Sequence, residues 1–187
     1  FLTLPDTNIA QKISSYYVKQ NDCNKAAKFL EYLIQCNKLN EQVRIDLARC
    51  YYKQDKYLNG LRMYDGVSED KFEAVDYYYV GLGKEVVGQI DASEKFFAQA
   101  VDKGNDKDQI VQDSRMKLAV INLDRKDYKE AKIQLEKLNK TQSVLFLCAQ
   151  CYEGLNDYKQ SGMYAEQYLK FDSTNVKAKM ILAASYE

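Results

Sequence analysis

The sequence predicts an all-α protein built from a series of antiparallel helix hairpins, on three observations. One proline and eight glycines in 187 residues, against many Lys, Leu, Ala, Glu, Gln and Tyr, describe helices joined by short turns. Apolar residues make up 46% of the chain, enough to bury a continuous core. A pattern of small and large residues returns with a period near 34, the mark of stacked supersecondary units.

The first two repeats align without a gap. Laying "QKISSYYVKQNDCNKAAKFLEYL" (11–33) over "IDLARCYYKQDKYLNGLRMYDGV" (45–67) pairs Ile13 with Leu47, Ser14 with Ala48 and Tyr17 with Tyr51 in a first helix. It pairs Ala26 with Gly60, Leu30 with Tyr64 and Leu33 with Val67 in a second. The same template places Val80, Gly81, Ser93, Phe97 and Ala100 in a third repeat. A fourth holds Leu118, Ala119, Tyr128, Ala131, Leu135 and Leu138. A fifth holds Cys148, Ala149, Tyr152, Tyr158, Ser161, Ala165 and Tyr168, and Leu182, Ala183 and Tyr186 begin a sixth. The expected organisation is a single array over 1–187 with repeats at 7–40, 41–73, 74–111, 112–141 and 142–175, and a partial repeat at 176–187, about five and a half in all.

Packing explains the pattern. Small residues at Ser14, Ala48, Gly81, Ala119, Ala149 and Ala183 let the second helix of a hairpin (helix B) approach the first (helix A) closely, and an aromatic residue one turn later fills the space left beside the next hairpin. The third repeat admits two frames, because Gly83 can take the small position in place of Gly81. The extended connection "DKGNDKDQ" (102–109) precedes the fourth repeat and a shortened one, "NKTQ" (139–142), follows it, so a bend is expected there.

With "DYKEAKIQLEKL" (127–138) and "NDYKQSGMYAEQYL" (156–169) each at the expected distance after a helix A pattern, the chain resembles the tetratricopeptide repeat family over nearly its whole length. The resemblance implies a right-handed superhelical solenoid whose concave face, lined by helix A, binds other proteins. "FLTLP" at the start looks like the tail of a preceding helix B. "ILAASYE" at the end leaves an apolar stripe to be covered, so the chain is expected to be a segment of a larger protein or to be covered by a partner.

Catalytic and metal chemistry is not indicated. There is no histidine, which removes Ser–His–Asp and Cys–His arrangements. The five cysteines are dispersed: Cys151 repeats the position of Cys50, in "AQCY" and "ARCY", but three repeats away, and Cys23 and Cys36 are farther along the array from Cys151. Cys148, in "FLCAQCYEG", occupies a leucine position, and the Cys148–Cys151 pair lies inside a helix rather than at the N-terminus that redox Cys-x-x-Cys pairs use. Both read as packing residues, and Cys151→Ser is expected to cost about 1–3 kcal/mol if the thiol is buried without a hydrogen-bond partner. "GLGK" (81–84) lacks the upstream glycine and the following Ser or Thr of a phosphate loop; Gly81 suits a close helix approach and Gly88 a turn. No cofactor is expected.

Twenty-seven basic and 27 acidic side chains cancel, so there is no broad field to gather nucleic acid or an anionic membrane. RNA binding, suggested by 16 tyrosines, is the alternative from another class, but Tyr17, Tyr51, Tyr128, Tyr152 and Tyr158 fall at core positions of the template. A thiol redox or metal role at Cys148 and Cys151 is the third reading. No apolar run reaches membrane-spanning length, and dispersed cysteines favour a reducing compartment, cytoplasmic by default.

The function expected is a non-enzymatic scaffold or adaptor that presents a groove to an amphipathic helix, an extended peptide or a neighbouring subunit of a complex. The inward positions of helix A are Gln11, Ser15 and Lys19, then Ile45, Arg49 and Tyr52, then Tyr78 and Leu82. Met116, Val120 and Leu123 follow, and Phe146, Gln150 and Glu153 complete the set. That groove is polar at its ends and apolar in its middle; the competing expectation is that some of these residues are core. Among relatives of the resembled family, those that bind acidic chaperone tails use a basic clamp. The corresponding positions Gln11, Ser15, Asp46, Val75 and Tyr79 carry no positive charge, so such a ligand is not expected.

Overall fold

A computed structural model describes residues 6–186; the "FLTLP" segment lies outside them. All regular structure among the described residues is helical. The chain divides into two compact units, one ending at Ala100 and the other beginning at Val101.

The first unit contains α1 (Thr7–Lys19), α2 (Cys23–Gln35), α3 (Glu41–Tyr52), α4 (Tyr57–Tyr64), a 3-10 turn (Glu69–Lys71), α5 (Ala74–Val86) and most of α6 (Ile90–Lys103). The second contains α7 (Gln109–Asp124), α8 (Tyr128–Glu136), α9 (Gln142–Gly154), α10 (Tyr158–Leu169) and α11 (Val176–Ala184). In each, consecutive helices pack against each other as hairpins.

Sequence sets the hairpin turns locally. Asn21, Asp55, Gly88, Lys126 and Asn156, one between each A and B helix, have positive φ. Asn, Asp and Gly tolerate this conformation, so the turn residue itself ends helix A. The next residue then starts helix B: Asp22, Asp127 and Asp157 each accept a hydrogen bond from a backbone N–H of the first turn, at Lys25, Glu130 and Gln160.

The hairpins close on the small residues. Ser14, Ala48, Ala119 and Ala149 are buried on the A helices, and Ala26, Ser93, Ala131 and Ser161 on the B helices. Ala183, at the equivalent site of α11, is exposed. Gly81 settles the frame of the third repeat. A Cβ there would lie 2.7 Å from Cε1 of Phe97, the fully buried ring of its own helix B, whereas Gly83 faces Tyr52 and Leu61 of the preceding hairpin. Both glycines are required, for different neighbours. Large residues between the small ones, such as Leu30, Leu47, Phe97 and Leu135, are fully buried and contribute about 1.5–3 kcal/mol each.

One boundary moves. The fourth repeat begins at Gln109 rather than 112, because α6 continues through Lys103 and α7 starts directly after Asp108. The extra residues become helix, leaving a short connection that buried Arg115 holds by donating from Nη2 to Asp106 Oδ1 at 2.5 Å and from Nη1 to Gln134 at 3.1 Å. Tyr158 also departs from its expected core position: it is exposed, its hydroxyl donating to Asn156 Oδ1 at 3.1 Å.

Candidate functional site

In the first unit, Gln11, Ser15 and Lys19 lie exposed along α1 with Asn8, Lys12 and Tyr16, bordering a shallow depression of about 490 Å³. The apolar positions behind them are not free surface. Ile45 and Tyr52 are each 4% exposed and belong to the core with Ala48, Tyr64, Phe72 and Val80. Tyr52 is drawn in because two glycines make room for it. A Cβ at Gly60 would lie 2.5 Å from its Cε2, one at Gly83 would strike its hydroxyl, and the ring stacks on Tyr79 with centroids 4.7 Å apart and planes 2° apart. Tyr78 and Leu82 are half-buried against the same core.

Arg49 is committed as well. Its Nε donates to Asp76 Oδ1 at 2.7 Å and its Nη2 to Asp76 Oδ2 at 2.5 Å, and Nη2 also meets Glu73 at 2.9 Å. The fully buried Asp76 carboxylate accepts two further hydrogen bonds, from the Tyr64 hydroxyl at 2.6 Å and the Glu73 backbone N–H at 2.9 Å. Burial and the adjoining carboxylate push the Tyr64 hydroxyl far above the usual phenol range, so it remains a donor. Every lone-pair direction of the carboxylate is engaged, and Arg49 supplies its balancing charge. Asp76 was open to detection in "AVDYYYVGLG", where it is the lone charge in an apolar run.

In the second unit the predicted residues lie on α7 and α9, and three of them share a cavity with a residue of α11. Val120 is 37% exposed, and Met116, Leu123, Phe146, Gln150 and Glu153 are half-buried. Leu123, Gln150 and Glu153 line one open cavity of about 440 Å³ with Asp124, Tyr128 and Lys177. Lys177 was not anticipated, since the sixth repeat is partial. Its Nζ donates to Gln150 Oε1 at 2.6 Å and stands 6.0 Å from the centroid of the Phe146 ring, the range of a cation–π contact. The repeat itself could have found it: Lys177 follows Ser143 by 34 positions, one turn before the Phe146 register. Phe146 is held from the other side by Tyr168, ring centroids 4.8 Å apart.

The two cysteines of "FLCAQCYEG" lie within α9 and are buried. Burial raises the Cys148 thiol above its ordinary value, and burial together with Cys148 pushes Cys151 up to about 11, the reverse of what a reactive thiolate needs. Cys151 does have a hydrogen-bond partner: its Sγ donates to the Tyr128 carbonyl at 3.2 Å. A serine hydroxyl retains that acceptor, so Cys151→Ser is expected to cost only about 1 kcal/mol, measurable by urea unfolding. Among the described residues no group of three or more His, Cys, Asp or Glu could hold a metal ion, and no helix is long and apolar enough to cross a membrane.

No family model and no curated protein matches the sequence. Solved structures do match. YrrB superimposes with a TM-score of 0.71 at 10% identity, over 94% of this chain and 91% of its own. PilF of Pseudomonas aeruginosa gives 0.69 at 11% identity, over 96% and 82%. The C-terminal part of a tetratricopeptide-repeat protein from Cytophaga hutchinsonii gives 0.65 at 17% identity, over 96% and 70%. The chain has the tetratricopeptide-repeat fold. In tetratricopeptide-repeat terms α7, α9 and α11 are the A helices of the second unit, and the cavity lined by Leu123, Gln150 and Lys177 takes one residue from each. At such identities the likeness concerns architecture; the residues lining that cavity are this chain's own.

Proposed function

We propose that this protein is a non-enzymatic scaffold whose second unit holds a peptide segment of another protein, an amphipathic helix or an extended strand, along the A-helix face of α7, α9 and α11. The observation that carries this reading is the convergence of Leu123, Gln150, Glu153 and Lys177 on one open cavity, with the Phe146 ring beside Lys177 and Val120 exposed one turn before Leu123 on α7. Apolar anchors bounded by a few oriented polar groups suit side-chain insertion together with main-chain or carboxamide hydrogen bonds. YrrB, which shares the fold, is described as having an unusual peptide-binding site, which agrees with such a use. The apolar part of the proposed groove thus contracts to the second unit, because Ile45 and Tyr52 are spent in the core of the first.

Peptides of about 16 residues selected from a displayed library against the whole chain provide the probe. Val120→Asp and Lys177→Glu, both at exposed positions, are expected to weaken the selected peptides at least tenfold with unchanged far-ultraviolet circular dichroism. Equal binding by both variants would falsify the assignment of this face.

A further inference from the structure

Cys23 and Cys50 belong to different hairpins, yet tertiary packing makes them neighbours. Cys50, 2% exposed on α3, and Cys23, half-buried as the first residue of α2, lie in one core cluster with Ala26, Leu30 and Leu47. Gln54, one turn beyond Cys50, donates from Nε2 to the Cys23 carbonyl at 3.1 Å, which fixes the start of α2 across from this part of α3. Both are free thiols, and the Cys23 side chain packs against the buried cluster that contains Cys50. Their access to solvent is unequal: Cys23 borders a shallow polar cavity with Asn21, Asp22, Lys53 and Gln54, while Cys50 lies behind it.

We propose that Cys23 and Cys50 form an oxidisable pair, with Cys23 the site of attack by a hydroperoxide and Cys50 the resolving thiol. The Cys23 sulfur takes an oxygen from hydrogen peroxide: an S–O bond forms, the O–O bond breaks, and the thiol proton leaves with the departing hydroxide as water. The Cys50 sulfur then displaces hydroxide from the Cys23 sulfenic acid, forming the S–S bond, and the Cys50 proton leaves with that hydroxide as a second water. The peroxide is reduced and both sulfurs are oxidised. Burial beside Cys23 raises the Cys50 thiol, so it is a poor first target and needs the contact with Cys23 to react. The product ties α2 to α3 and thereby the first hairpin to the second.

The test is treatment of the reduced whole chain with a few equivalents of hydrogen peroxide, followed by alkylation and peptide mass spectrometry. Wild type is expected to lose two hydrogens in intact mass, to leave three of its five thiols alkylatable, and to yield a peptide linking Cys23 to Cys50. Cys36→Ser should behave the same. Cys23→Ser, at a half-buried position that tolerates the change, should leave all remaining thiols reduced. In Cys50→Ala, Cys23 should stop at a sulfenic acid that a dimedone probe traps. A link from Cys23 to Cys36, oxidation of Cys50 in the Cys23→Ser variant, or a full set of alkylatable thiols in wild type overturns the proposal.

Discussion

Arg49→Ala should destabilise the first unit by about 3–5 kcal/mol, because it leaves the Asp76 carboxylate buried without its charge partner. The cost is not the loss of a surface ion pair. The Arg49 side chain retains some exposure, but the Asp76 side chain is 0% exposed, and removal of the cation strands an anion. Asp76→Asn in the Arg49→Ala background removes that anion while keeping one acceptor oxygen, for either the Tyr64 hydroxyl or the Glu73 N–H, and should recover part of the loss. Hydrogen exchange should assign the opening to peptides of α3–α5 and leave those of α9 and α10 protected. An unchanged denaturation midpoint for Arg49→Ala would show that the charge pair carries no stability. Charge reversal at Arg49 would likewise open the core rather than report on a groove.

The second large effect is expected at Tyr52. Tyr52→Ala should cost about 3–5 kcal/mol, the range for emptying a buried aromatic site. The vacancy cannot close by side-chain rearrangement at its walls, because two of them are the glycines Gly60 and Gly83. A coupled substitution sharpens the test. Gly83→Ala alone drives a methyl into the Tyr52 hydroxyl and should cost about 1–3 kcal/mol. In the Tyr52→Ala background the same methyl enters the vacated space beside Leu61, and the better helix propensity of alanine, about 1 kcal/mol, makes it neutral or favourable. Additive effects of the two substitutions would mean that the ring and the glycine do not share a site.

Much of the architecture was legible because the signals that set it are local or repeat along the chain. Small residues every 34 positions, turn residues that accept positive φ and aspartates that begin helix B each act within one hairpin or between sequence neighbours, so aligning the repeats read them directly. The fourth repeat's start escaped because helix-forming residues in the connection could extend either helix, and only the Arg115 anchor shows where the connection lies.

Helical period alone assigned Ile45, Arg49, Tyr52, Val120 and Phe146 to one inward face, since it specifies direction around an axis and nothing more. Whether an inward residue meets solvent depends on what lies opposite. Facing α3, Gly60 and Gly83 admit Tyr52 and Asp76 captures Arg49, while Val120 on α7 stays exposed and Phe146 on α9 keeps part of its surface beside Lys177. The cysteines divide the same way. Repeat position correctly made Cys148 and Cys151 packing residues, but the meeting of Cys23 with Cys50 depends on how one hairpin docks on the next. The helices, their turns and the small residues on which they close are written in the amino-acid order, because those are properties of a residue and its near neighbours. Which side chains the core consumes and which keep exposed surface follows from folding alone, because burial is set by residues distant in the chain that packing brings together.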